Sequence, residues 1–266
     1  MNPTDAASPS EPSPTYTSPR GRLAAGPSMT PVMGLALLAA LVAGLLAWLV
    51  GETPFGTVRP SRVWINTLGN LNLSTTHDTE LKALTASSAR VYGAFGLLLG
   101  LTLGLAGALA RGGIRSGLKP ALIGAILGAI AGGALPFLAV PLHDSLRTSI
   151  PDETLASIMM HGLIWGTIGA AVSVALGLGA EGGSRRRVVA CIAGGVIGAL
   201  VGTAVYEVVG AMAFPLDETG EAISKSSASR LLARLIVGLS IALGASTAFS
   251  ESRRRNEDPV APTPEV

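Results

Sequence analysis

Six apolar runs set the terms on which this chain can fold. Pro31–Val50, Val91–Ala110, Pro120–Leu142, Ile158–Ala180, Val188–Phe214 and Leu231–Phe249 hold few charges, and each is about the twenty residues that a helix needs to cross the hydrocarbon of a bilayer. Backbone N–H and C=O groups find no water there, so runs of this kind become helices that bond internally. Composition agrees: 14% of the residues are charged and the mean hydropathy is +0.52, where soluble domains carry about a quarter charged residues. The sixth run is the weakest, with Arg234 one turn inside it and Ser240, Ser246 and Thr247 diluting it. An arginine so placed is expected to snorkel outward along its own stem. The first run is longer than a signal-peptide core and follows a Pro/Ser-rich stretch, so it reads as an uncleaved anchor.

Positive charge orients the runs. Arg111, Arg115 and Lys119 crowd one short connection, "EGGSRRR" follows the fourth run, and "ESRRR" follows the sixth. The other connections carry acids: Glu52, Asp78 and Glu80; Asp144, Asp152 and Glu153; Asp217, Glu218 and Glu221. Both termini are therefore expected in the cytoplasm, with the acidic loops outside, and the expected location is the bacterial cytoplasmic (inner) membrane. Residues 1–30 and 251–266, rich in Pro, Ser and Thr, read as disordered cytoplasmic tails. The domain between them spans 31–250, with an outer loop at 51–90. In that loop "TTHDTELKALTASSAR" predicts a helix capped by Thr75 or Thr76 that runs into the second span.

Shifting the chain by 70 residues lays the second and third runs over the fourth and fifth. Gly96, Gly107, Arg115, Gly124, Gly128 and Gly132 fall on Gly166, Gly177, Arg185, Gly194, Gly198 and Gly202. These repeats, roughly 91–142 and 161–212, extend to Arg255 and predict three tandem helical hairpins of like orientation, in the manner of parallel transporter repeats. Glycines also recur every fourth residue: Gly96, Gly100 and Gly104; Gly124, Gly128 and Gly132; Gly194, Gly198 and Gly202. That spacing clears one helix face of side chains, and in lipid such faces associate through close van der Waals contact. The fold class expected is an all-α polytopic membrane protein, six transmembrane helices arranged as three hairpins with glycine-striped packing faces.

The chemistry in the sequence is sparse. Glu207 is the one acid inside an apolar run. It lies near the outer surface and off the glycine seam. An acid at membrane depth is a functional candidate, and with His161 it makes a candidate polar site near the outer face. The competing reading is an interfacial carboxylate paired with Arg234 or hydrated. His77, His143 and His161 all fall on the outer side without ligand spacing, so no metal site is assigned. In "IPDETLAS", Asp152 and Glu153 suit the positive start of a helix. "GLGAEG" at 177–182 fits a dinucleotide fingerprint but closes a membrane helix, and a fingerprint needs a strand before it; the glycines read as a helix end. "NLS" at 72–74 matches a glycosylation sequon, and lone Cys191 excludes a disulfide framework or a four-cysteine zinc site.

Neither catalytic nor cofactor-binding residues are assigned. The expected partners are the lipid bilayer, anionic headgroups at the arginine clusters, and a second copy or another membrane protein; nucleic acid is not among them. The chain thus reads as a non-enzymatic membrane protein with a packing, assembly or partner-binding role, the alternative being a small transporter or channel with its polar site near the outer face.

Overall fold

In a computed structural model the described residues are 31–257, apart from 68–69, 114, 148, 150–151 and 182–184. The expected tail 1–30 and residues 258–266 lie outside them. Helix α1 (Pro31–Gly51) is followed by a two-stranded antiparallel ladder, β1 (Val63–Thr67) with β2 (Asn70–Ser74). Then come α2 (His77–Ala110), α3 (Leu118–Ala134), α4 (Pro136–Arg147), α5 (Glu153–Glu181), α6 (Arg185–Ala213) and α7 (Ser227–Glu257). Counting α3 and α4 as one crossing, six helical segments are long and apolar enough to span a membrane. The fold is that of an integral membrane protein.

Several boundaries follow from single residues. Thr76 caps α2: its hydroxyl accepts the Thr79 N–H, and the Thr79 hydroxyl accepts the Thr76 N–H in return. Such a reciprocal cap satisfies two donors that a helix start leaves open. The third run, expected to be one helix, is broken at Leu135 into α3 and α4. Pro136 has no N–H to return to the preceding turn, and Pro141 removes another bond within α4. Helix α5 continues through Gly177 and Gly179 to Glu181, so those glycines lie inside a helix rather than ending it. Asp152 Oδ1 accepts the N–H groups of Thr154 and Leu155 at the start of α5. Helix α7 carries the "ESRRR" segment within its last turns, which places 251–257 in a helix where a tail was expected.

Each helix packs against its neighbours in sequence, and α1 also meets α7, so the crossings close into a ring. Helices α2 and α5 touch across its middle. Glycines set these approaches. A methyl group added at Gly96 or Gly100 would run into the carbonyl oxygen of Gly128 or Gly124, and one at Gly104 would reach the backbone of Ala121. Gly132 meets the Tyr92 carbonyl in the same way. On α6, Gly194 and Gly198 face the backbone of Gly244 and Ser240, and Gly202 faces Val237 and Ser240. The stripe on α3 therefore faces the preceding helix, whereas its sequence counterpart on α6 faces the following one.

We call the two ends of the bundle the arginine end and the hairpin end. Towards the arginine end, Gly104 and Gly107 of α2 lie against Leu176, Gly179 and Ala180 of α5. Towards the hairpin end, Tyr92, Phe95 and Trp165 fill that space, with Trp165 edge-on to both other rings at 4.8 and 5.2 Å. The ring is closed at this end by Trp48, whose indole N–H donates to the Ser227 carbonyl at 3.1 Å. A two-pronged pair between Arg230 and Glu52 adds to the closure, with contacts of 2.8 and 2.7 Å.

Candidate functional site

Ser157, His161 and Trp165 lie at successive four-residue steps on α5, so they share one helix face. Glu207 lies on α6 opposite the first two. The Ser157 hydroxyl donates to Glu207 Oε1 at 2.6 Å, and His161 Nδ1 lies 2.5 Å from the same oxygen. With the carboxylate ionised, Nδ1 carries the proton that it donates. Glu207 and His161 are 5% and 2% exposed. The structure thus brings together the two residues singled out from the sequence and adds Ser157, which the sequence reading missed. Its four-residue step from His161 was the available signal. Glu207 makes no ion pair with Arg234, the partner considered from the sequence, among the described residues.

A serine, a histidine and a glutamate in mutual contact invite comparison with a hydrolytic triad. A triad needs the serine on one imidazole nitrogen and the acid on the other. Here both address Nδ1, since Ser157 Oγ is 3.3 Å from that atom, and the hydroxyl proton points to the carboxylate. This arrangement holds a carboxylate in place; it does not activate a nucleophile.

Ser157 and Glu207 sit at the base of a cleft of about 540 Å³ at the hairpin end, bordered by Arg147, Glu153 and Glu218. Arg147 pairs with Glu153 at 2.5 Å and also with Glu221, and Lys225 pairs with Glu218. The loop between α6 and α7 forms one wall and folds back over the bundle, where Tyr92 Oη donates to the Ala222 carbonyl at 2.6 Å. Beneath that loop, on the far side of His161, lies a central cavity of about 20 Å³ bordered by Tyr92, Trp165, Tyr206 and Arg234. Arg234 is 3% exposed, so the expected snorkelling does not occur. Its head group lies against the end of α1, where a methyl group on Gly51 would come 2.6 Å from Nη2.

Further along α5 and its neighbours towards the arginine end, polar lining gives way to Leu99, Leu103, Ile168, Val172, Leu176, Val237 and Ile241, all fully buried. Buried polar groups are sparse there, Ser173 and Ser246 among them.

The other histidines do not join the cluster. His77 Nε2 meets Asp144 Oδ2 at 2.9 Å on the surface, and buried His143 leaves Nε2 without a partner. Among the described residues no group of three or more His, Cys, Asp or Glu side chains could hold a metal ion. No family model, curated protein or solved structure matches this chain.

Proposed function

We propose that this integral membrane protein is a non-enzymatic, proton-linked carrier of a small solute, with Glu207 and His161 as its proton-exchanging pair and the hairpin end facing outward. The observation that carries the reading is a carboxylate buried against an imidazole at the base of an open polar cleft. Burying an ionisable pair costs several kcal/mol per ion, and well-packed apolar residues often serve stability better. At membrane depth such groups are characteristic of substrate and proton paths. The apolar half beyond them would be the closed side of an alternating-access carrier, and the excess of arginine at that end favours placing it in the cytoplasm.

The glycine contacts bear on the assembly role that the sequence favoured. Gly96, Gly100, Gly104, Gly124, Gly128, Gly132, Gly194, Gly198 and Gly202 all meet backbone or side chains of this same chain, which supports packing within the chain as the role of these faces. A partner-binding role is favoured by a different feature, the ladder β1–β2. Trp64 and Leu73 are paired across it, and Trp64 is 70% exposed. The three-hairpin repeat is retained as a proposal on sequence grounds, and lipid headgroups remain the proposed partners of the arginine clusters.

Labelling of Glu207 by dicyclohexylcarbodiimide, read by mass spectrometry in native membranes across a pH series, tests the carrier reading because the reagent attacks protonated carboxyls. The expected result is labelling of Glu207 that rises as pH falls and is altered in His161→Gln. Absence of labelling at every pH, or labelling independent of pH, would mark the pair as a fixed structural contact.

A further inference from the structure

The cavity on the far side of His161 holds a charge that the pairing of Glu207 does not account for. The charged groups around that cavity are Arg230, Arg234 and Glu221. Arg230 is held by Glu52, and Glu221 by Arg147. Tyr92 spends its hydroxyl proton on the Ala222 carbonyl. Arg234 makes no ion pair of its own: among the described residues its guanidinium makes one hydrogen bond, to the Arg230 carbonyl at 3.2 Å, and the acid that acts on it, Glu52, is already held by Arg230. A guanidinium offers several N–H donors in a planar fork, and a charge this buried is costly without a counter-ion. The nearby end of α1 offers partial compensation, since helix C-termini favour cations. Beside the cavity, the buried indole N–H of Trp165 is also without an acceptor.

We propose that this cavity binds one monovalent anion of about chloride size, held by the Arg234 guanidinium with the Trp165 N–H as a second donor. The size follows from the volume. About 20 Å³ suits one small species and favours a monatomic anion over sulfate, a carboxylate or a sugar acid. A water molecule would satisfy a donor but leave the charge. An anion answers both deficits at once. The site borders His161 but does not include Glu207, so it does not rest on the role proposed for that carboxylate.

The test is thermal unfolding of the purified full chain in detergent, with sodium chloride or bromide replacing sodium gluconate at constant sodium and pH. Ligand that binds only the folded state raises the melting temperature in a saturable way. The expected result is a rise of several degrees in chloride and bromide, saturating in the millimolar range, kept in Glu207→Gln and lost in Arg234→Gln. Identical melting of the wild-type chain in all three salts would overturn the proposal and leave water as the occupant. A shift retained in Arg234→Gln would overturn it as well. Should Arg234→Gln fail to fold, bromide quenching of Trp165 fluorescence in a Trp48→Phe, Trp64→Phe chain decides. Saturable quenching supports the site, and purely linear quenching refutes it.

Discussion

Removing the side chain of Glu207 would leave the Ser157 hydroxyl and His161 Nδ1 facing each other in a buried space that the carboxylate now fills. Breaking a buried pair from one side costs about 3–5 kcal/mol, so Glu207→Ala is expected to lower the melting temperature sharply in detergent. Glu207→Gln, which can still accept from Ser157, is expected to lose far less stability while abolishing pH-dependent labelling at position 207. At the other charged site, Gly51→Ala would press on the Arg234 head group from 2.6 Å. Nη2 is the far end of a flexible side chain that can move aside, so the cost is expected at or below about 1 kcal/mol, the low end for overpacking, and thermal unfolding of the single variant measures it. Glu207 itself stood out in the sequence as the one acid within an apolar run. His161 was named with it, but Ser157 was not, because a contact between α5 and α6 depends on the rotation of each helix about its axis. Glycine periodicity constrained that rotation only for the face of α6 turned towards α7.

The helices differ in how much they depend on their glycines. Gly198 faces the Ser240 carbonyl so closely that any side chain must part α6 from α7, whereas Gly34 has nothing within 4 Å of an added methyl group. Gly198→Leu is therefore expected to cost several degrees of melting temperature. Gly34→Ala is expected to be neutral or to stabilise α1 by about 0.5–1 kcal/mol, the usual gain on replacing a mid-helix glycine. Equal losses in the two variants would count against close backbone packing as the reason for the stripes. The joint between α1 and α7 has a pH signature. The hydrogen bonds from Arg230 hold the Glu52 carboxyl below its ordinary value of 4.5. A lowered carboxyl adds stability above its unfolded-state value and loses it as pH falls through the folded-state value. The difference between wild type and Glu52→Gln, about 1 kcal/mol or less for a partly exposed pair, should thus be full at neutral pH and vanish in acid.

At the same scale, the spans and the Thr76 cap were legible because each is written in local sequence. The break at Leu135 was also written there, in Pro136 and Pro141, but hydropathy alone carries the run across it. The ladder β1–β2 escaped notice because its strands are mostly exposed and their alternation in "VWINT" and "NLNLS" is short.

Across the described residues, the hairpin half of the bundle carries the buried polar groups, a cleft between α5, α6 and the α6–α7 loop and a small cavity, while the arginine half is mainly apolar. Small residues let α2 and α5 meet at the arginine end, and aromatic rings hold them around a cavity at the hairpin end. The proposed carrier would take its solute at the hairpin half and need a rearrangement to release it at the other. The sequence carried the charge asymmetry behind the proposed orientation. It did not carry the folding of the α6–α7 loop over the bundle, since that rests on long-range contacts, from Tyr92 to Ala222 and from Arg147 to Glu221.

The most direct test is thiol accessibility in intact cells, on a Cys191→Ser background, using a membrane-impermeant reagent added from outside. Single cysteines would replace Thr154, Ser157 and Ala211, which border the cleft, and Leu99, Val172 and Ile241, which form the apolar seal. The predicted result is labelling at all three cleft positions, slowest at Ser157, and none at the seal. Labelling at the seal would mean a continuous pore, and silence at the cleft positions until the cells are permeabilised would place the hairpin end in the cytoplasm; either result would contradict the outward-facing carrier.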